Sequence, residues 1–426
     1  MSTIPSTKTR GWSDGNRFKL LENGEEYFPA VYEAIAAAQR EVFIETFILF
    51  DDAVGKELHA VLIAAAKRGV SIDVTVDGFG SPDLSPAFVE SLAAAGVRMH
   101  FYDPQKPLLG VRTNIFRRLH RKIVSIDSRT AFIGGINFGE DQLASSGDKG
   151  KQDYSVGVEG PLARDIHQFA RQQVAAFYRK PWWELWRNKL IDRRPVKLMA
   201  PNRGKALLVV RDNDKHRDDI ERHYRAAIRA AKTEIVIACA YFFPGYRLLR
   251  QLRRAARRGV AVKLILQGAP DMPQAMKWAM MLYPSLLRAG VEVYEYCQRP
   301  LHAKVAVIDD DWSTIGSSNL DPLSLALNLE ANVVIRDRGF NREVRERLNP
   351  LLREHCRRVS REHIPRSTLW RLVSNFIAYH GTRHFPRLAG WMPAHMPNLQ
   401  SVEPRERTRR LEHARLSHSF GMPGER

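Results

Sequence analysis

Cysteine is scarce: Cys239, Cys297 and Cys356 are the three in a chain of 426 residues. They are too few and too scattered for a disulfide framework or a zinc site, and a reducing compartment suits them. Long apolar runs are missing as well. Stretches such as 133–136 and 235–243 fall far short of the roughly 20 residues that a spanning helix needs. The first 20 residues carry Lys8, Arg10, Asp14 and Arg17 without the apolar core of a secretory signal. Membrane contact is therefore expected to be peripheral. Negative charge is the third shortage, with 47 Asp and Glu against 66 Lys and Arg and a net charge of +19. Of the positive residues 49 are arginine, whose guanidinium fork grips phosphate with two donors, so the excess points to nucleic acid or an anionic lipid surface. At 44% hydrophobic and 27% charged, the chain is not disordered as a whole and is long enough for two or three domains.

What the chain does contain is a duplication. Residues 28–139 and 220–321 follow one order of elements at nearly the same spacing. Each opens with an Ala-rich helix, at 32–39 and 224–232, and enters an apolar strand, at 41–49 and 234–243. A helix then stops at Arg68-Gly69-Val70 or Arg258-Gly259-Val260, with strands 71–77 and 261–267 directly after. Another helix stops at Ala95-Gly96-Val97 or Ala289-Gly290-Val291, before strands 98–102 and 292–296. This alternation predicts an α/β protein of two duplicated lobes, each a mixed sheet flanked by helices on both faces.

Chemistry follows the last of these strands. The first half reads His120-Arg121-Lys122 with Asp127 and then Gly134-Gly135-Ile136-Asn137; the second reads His302-Ala303-Lys304 with Asp309 and then Gly316-Ser317-Ser318-Asn319. In a strand, residues two apart share a face, so each His projects beside its Lys. Asp127 and Asp309 stand seven residues beyond each His; grouped with the motif, they are expected to hold the loop and not to meet the phosphate. The glycines let Asn137 and Asn319 approach the His-Lys pair. Lys and Asn supply the charge and amide donors that hold a phosphodiester and the charge developing on its oxygens. Two histidines facing each other can divide displacement at phosphorus between a nucleophile and an acid. A carboxylate shortly after each Asn, Asp153 or Glu330, is placed to orient the imidazole of its own half. No metal or cofactor is required.

These residues resemble the signature of the phospholipase D superfamily, a duplicated H-x-K-x4-D with a following Asn. Over roughly residues 10 to 400 the chain is similar to the bacterial cardiolipin synthases of the B type. The more specific stretches are Glu22 to Glu25, Glu45-Thr46-Phe47, Asp77 to Asp83, Arg117 to Lys122 and Gly316 to Pro322. The resemblance implies one active site between the lobes, with His120, Lys122 and Asp127 and their counterparts His302, Lys304 and Asp309 as the catalytic set. It implies substrate contacts from Asn137, Asn319, Ser317, Asp153, Glu330 and Glu45. It further implies a phosphohistidine intermediate, with a leaning to His120 as nucleophile and His302 as acid that the near-identical motifs leave open. The donor and acceptor would be phosphatidylglycerol, at the cytoplasmic side of a bacterial membrane. A nuclease of the same superfamily and a non-catalytic lipid-binding scaffold are the competing readings; the intact His and Lys in both halves oppose the second.

By sequence the chain divides into an arm (1–14), a first lobe (15–203), a second lobe (204–350) and a basic amphipathic extension (351–426), disordered at its end. The extension holds 14 Arg and 6 Glu with no Lys or Asp, and Leu369, Leu372, Val373, Phe376 and Ile377 recur at helical spacing. Residues 106–119, which mix Leu108, Leu109, Ile115 and Phe116 with Arg112, Arg117 and Arg118, and the Met-rich stretch 272–283 are candidate rims of a lipid entrance.

Overall fold

The computed structural model describes residues 11–104, 117–178, 204–269, 273–360, 362 and 397–402. The extension around Leu369 to Trp391, the tail 403–426 and most of the stretch 106–119 lie outside these. The first half runs β1 (Arg17–Glu22), α1 (Asn23–Ala36), β2 (Glu41–Thr46), α2 (Ala53–Lys67), β3 (Ser71–Asp77), α3 (Pro86–Ala94), β4 (Arg98–Tyr102), β5 (Ile123–Ile126), β6 (Thr130–Gly134), β7 (Tyr154–Glu159) and α4 (Pro161–Ala175). The second runs β8 (Lys205–Arg211), α5 (Asp219–Ala230), β9 (Glu234–Cys239), α6 (Tyr246–Arg257), β10 (Ala261–Gln267), α7 (Pro273–Arg288), β11 (Glu292–Tyr296), β12 (Lys304–Ile308), β13 (Trp312–Gly316), α8 (Pro322–Ala326), β14 (Glu330–Arg336) and α9 (Arg338–Pro350). Two short strands follow, β15 (Cys356–Arg358) and β16 (Leu399–Val402).

Local sequence accounts for the repeat. In α2, Val54, Leu58, Leu62 and Ala65 are buried at helical spacing, and Asp52 caps the start by accepting the Gly55 N–H. The helix stops where Gly69 takes a φ of 90°, and α6 stops likewise at Gly259 with a φ of 92°. In β3, Ile72, Val74 and Val76 alternate into one core while Asp73, Thr75 and Asp77 face the other way.

Two eight-stranded mixed sheets result, ordered β1-β7-β6-β5-β2-β3-β4-β16 and β8-β14-β13-β12-β9-β10-β11-β15. The permutation is the same in both. Strands β2, β3 and β4 are parallel, as are β9, β10 and β11, and the other pairings are antiparallel.

The outer face of each sheet carries its own core, such as Tyr27, Leu58, Leu62 and Val74 in one lobe and Tyr224, Leu248, Leu252 and Leu264 in the other. The inner faces share a third core. There Ile123, Ile133 and Val156 meet Val236, Val305, Ile315 and Val333, closed by Ile166 and Phe169 of α4 and Val344 and Leu348 of α9. Helices thus cover part of each inner face and the partner sheet covers the rest, because both surfaces are equally apolar.

Two boundaries differ from the sequence division. The extension is not separate: β15 pairs with β11 and β16 pairs with β4, so residues after 351 supply an edge strand to each sheet. The arm ends in a bridge as well, Ser13 and Ala206 exchanging N–H···O bonds of 2.9 Å in both directions. Among the described residues no helix is long and apolar enough to cross a membrane.

Candidate active site

His120 and His302 do not lie within their strands. β5 begins after Lys122 and β12 begins at Lys304. Just before, the chain leaves its own sheet and pairs across the lobes: Leu119 bridges Leu329, and Leu301 bridges Gln152. The His120 N–H donates to the Leu329 carbonyl at 2.9 Å and the His302 N–H to the Gln152 carbonyl at 2.8 Å. Leu329 precedes Glu330 and Gln152 precedes Asp153. Each histidine is therefore clamped beside the acid of the opposite lobe.

The side chains meet accordingly. His120 Nδ1 lies 3.0 Å from Glu330 Oε2, and His302 Nδ1 lies 2.6 Å from Asp153 Oδ2. This corrects the expectation that each acid serves its own half; sequence spacing alone could not show that the lobes exchange them. A carboxylate only accepts, so Nδ1 carries the proton in both pairs and Nε2 is the reactive nitrogen.

The two acids are held differently. Asp153 receives the Tyr154 N–H at 2.8 Å, and its carboxylate fills the space where a Cβ on Gly135 would stand, 2.3 Å from Oδ2. Ser317 occupies the matching place in the other half; its hydroxyl donates to Glu330 and accepts the Ala331 N–H. Burial pushes Asp153 up to about 6 against the pull of Lys304 and the Tyr154 N–H. Burial also acts to raise Glu330, but His120, Lys122 and Ser317 outweigh it and hold this carboxyl below its ordinary range.

Both histidines are held below their usual pKa. For His120 burial is the main cause, opposed by Glu330. His302 lies well below the usual value through burial and then the positive charge of Lys304, Lys151 and Lys122. The lysines fold back, Lys122 Nζ donating to the His120 carbonyl at 2.8 Å and Lys304 Nζ to the His302 carbonyl. Burial brings Lys122 down to about 7.

Asn137 accepts the Ile48 N–H at 3.2 Å through Oδ1, and Asn319 accepts the Tyr241 N–H at 3.4 Å. With each amide pinned by its oxygen, its NH2 is the end left for an anion. Among the described residues no cluster of His, Cys, Asp and Glu is gathered as a metal ion would need.

Asp127 and Asp309 stand at the far ends of β5 and β12. Asp127 accepts the N–H groups of Gln39, Arg40 and Glu41, each at 2.8 Å, and Asp309 those of Lys232, Thr233 and Glu234. Both adopt positive φ, 53° and 49°, as a tight turn asks of Asp. Their side chains staple the start of β2 or β9, at the ends of β5 and β12 away from the histidines.

Glu45 is a second correction. It lies on the β2 face that points at α4, bonded to Arg121 Nε at 2.7 Å, while Arg121 also donates to Gln173 and rests on the Phe169 ring. Arg121 projects opposite to His120 and Lys122, so its buried partner Glu45 neutralises it on the face turned away from them.

Sequence reasoning passed over Phe47, whose ring lies 5.1 Å from the His120 ring and 5.2 Å from Lys122 Nζ. It also gave no role to Asp77, fully buried, which accepts the Leu119 N–H at 2.8 Å and pairs with Arg118. The stretches Glu45 to Phe47 and Asp77 to Asp83 were the only signal for either.

A cardiolipin synthase, PLD-like domain is matched twice, over residues 31–168 and 224–352. The chain is 53% identical over 395 residues to the cardiolipin synthase B of Salmonella typhi, which covers 92% of this chain and 94% of that one. The chain belongs to the phospholipase D-like cardiolipin synthases. The cardiolipin synthase B of Escherichia coli strain K12 matches at 53% over 397 residues, again 92% and 94% of the two chains. Membership in the cardiolipin synthases makes this chain a phosphatidyltransferase. A phosphatidylserine synthase of Haemophilus influenzae Rd KW20 shares the fold, with a TM-score of 0.62 over 88% of this chain and 94% of that one, at 14% identity.

Proposed function

We propose that this site moves a phosphatidyl group from one phosphatidylglycerol to another through a phosphohistidine on His120. The observation that carries the reading is the pair of crossed dyads, His120 with Glu330 and His302 with Asp153. Two oriented imidazoles between two buried lysines can handle both halves of a double displacement.

In the first half His120 Nε2 attacks the phosphorus, the bond from phosphorus to the glycerol oxygen breaks, and His302 gives that oxygen its proton. In the second half a hydroxyl of the other phosphatidylglycerol loses its proton to His302 and attacks phosphorus, and His120 departs unchanged. Cardiolipin and glycerol are the products. Burial and the lysines keep His302 neutral at rest; a phosphodiester anion offsets those cations and favours the imidazolium needed for the acid step. The leaning to His120 as nucleophile draws on Glu330: an ionised, Ser317-bonded carboxylate keeps the His120 proton on Nδ1 and the Nε2 lone pair available. Water in place of the second alcohol would give phosphatidic acid, so exclusion of water decides the outcome.

The enzyme would work as a peripheral protein at the cytoplasmic face of a bacterial membrane, where donor and acceptor both reside. The test is to incubate purified protein with phosphatidylglycerol in mixed micelles containing a chelator. Cardiolipin and glycerol should appear in equal amounts. Phosphatidic acid alone would make the protein a hydrolase, and loss of all activity on chelation, restored by a divalent ion, would overturn the metal-free route.

A further inference from the structure

The duplication allows a like-for-like comparison of the two outer helical layers. Helices α2 and α6 superpose by their burial pattern and their Arg-Gly-Val stops, so that Glu57, Ala60, Ala64, Lys67 and Arg68 occupy the positions of Arg247, Arg250, Arg254, Arg257 and Arg258. All ten are exposed. They form the outward stripe of each helix, opposite Leu58 and Leu62 or Leu248 and Leu252. In the first lobe this stripe has a net charge of one; in the second it carries five positive charges and no acid. Arg258 is anchored on the carbonyls of Ile228, Arg229 and Ala231, and Glu221 of α5 acts on Arg247. Arg250, Arg254 and Arg257 have no ion-pair partner among the described residues.

A fold does not require this. The lobe that lacks the stripe has the same sheet, the same helix and the same stop.

A second difference lies beside it. Helix α7 has 16 residues where α3 has 9, and the surplus lies at its start. The first half of α7 exposes Trp278 (47%) and Met280 (38%), and the start of α6 exposes Tyr246 (38%). The Trp278 ring lies 6.4 Å from that of Phe243. Phe243 donates its N–H to the Leu320 carbonyl at 2.7 Å, one residue after Asn319. The aromatic end of this surface therefore adjoins the catalytic loops.

We propose that the arginine stripe of α6, with Trp278, Met280 and Tyr246 at its front, is the face that docks this enzyme on an anionic lipid bilayer. The charge and the aromatics match the two layers of such a surface. Weakly hydrated guanidinium groups pair with lipid phosphates. Trp and Tyr settle where headgroups meet acyl chains, being apolar in body and polar at the tip. Phe243, which touches Trp278 and bonds to Leu320 next to Asn319, ties this end of the face to the site. This rests on the reading that the site acts on lipid, and it goes further by naming the face.

The experiment compares the full-length protein with R250Q/R254Q/R257Q, with W278S and with the first-lobe control K56Q/K67Q. Two readouts are used: co-sedimentation with vesicles of phosphatidylglycerol or phosphatidylcholine, and turnover in phosphatidylglycerol mixed micelles, where no bilayer need be found. The arginine triple should lose about tenfold or more in partition to phosphatidylglycerol vesicles, steeply dependent on salt. W278S should lose a few-fold on both vesicle types, and the control should change little. Micelle turnover of the triple and of the control should stay within about twofold of the parent, which also shows them folded.

Unchanged vesicle partition of the triple, an equal loss in the control, or no binding of the parent to phosphatidylglycerol vesicles would each overturn the proposal. So would loss of micelle turnover by the triple, since the stripe would then support the site and not docking. Retained vesicle binding with lost affinity for duplex DNA would assign the stripe to nucleic acid. If the parent makes no cardiolipin in micelles, the reading of the site fails, while the vesicle data still decide the face.

Discussion

The two lobes agree where they meet and diverge where they do not. At the joint, His120 and His302, Lys122 and Lys304, and Asn137 and Asn319 occupy equivalent positions, each His bonded to the other lobe's acid. On the outer layers the same fold carries a nearly neutral stripe in one lobe and a uniformly basic one in the other. A symmetric reaction at phosphorus needs like groups on both sides of the phosphate, whereas a membrane touches one side of a molecule. The departures from symmetry inside the site are the informative ones there: Glu330 with Ser317 against Asp153 with Gly135.

The largest effect should come from the histidines. His120→Ala and His302→Ala should each lower turnover by about 10^4-fold or more, as members of one catalytic unit do. With labelled phosphatidylglycerol, His302→Ala should retain a phosphatidyl group on the protein and His120→Ala should not. The reverse labelling would exchange the two roles.

Next come the orienting acids. Glu330→Gln and Asp153→Asn should each cost about 10^2- to 10^4-fold in kcat, by loosening the imidazole of the opposite lobe. Because Asp153 sits at about 6, the parent's rate should fall as pH drops through that value, when the carboxyl takes a proton and no longer accepts from His302. Asp153→Asn should lose that acidic limb. A limb that persists at 6 in the variant would assign it elsewhere.

Exchanging the small residues sharpens the contrast further. Gly135→Ser would put a Cβ against the buried Asp153 carboxylate and should cost roughly 1–3 kcal/mol of stability, the usual penalty of overpacking. Ser317→Gly removes the hydroxymethyl group that bonds Glu330 and should lower kcat several-fold with the fold intact. Equal melting temperatures for the two variants would show the halves to be more alike than their packing indicates.

The smallest catalytic effect should belong to Asp127→Asn. Its hydrogen bonds from Glu41, Gln39 and Arg40 outweigh burial and hold the carboxyl below its ordinary value. The stability it lends is therefore present above an ordinary Asp pKa of about 3.9 and is lost as pH falls through the folded value. The variant should lose about 1 kcal/mol near neutrality, with turnover near that of the parent. A folded but inactive variant would return Asp127 to the catalytic set.

The sequence by itself determined the duplication, the strand and helix order and the repeated His-x-Lys with its following Asn. Periodicity, glycine stops and a repeated His-x-Lys are local patterns, and the physics behind them acts within a few residues. The helix boundaries at Gly69 and Gly259 and the strands at 71–77 and 261–267 were legible for that reason. Partnership was not legible. Which acid serves which histidine depends on Leu119 crossing to Leu329 and Leu301 to Gln152, and on two inner sheet faces burying each other. Glu45 read as a substrate contact until the structure set Arg121 beside it, on the face of β2 that a strand's alternation turns away from His120. The edge strands after residue 351 likewise satisfy backbone groups of β11 and β4 far away in sequence. Such pairings are chosen by the tertiary structure, because a buried polar group must find its partner wherever the fold brings one within reach.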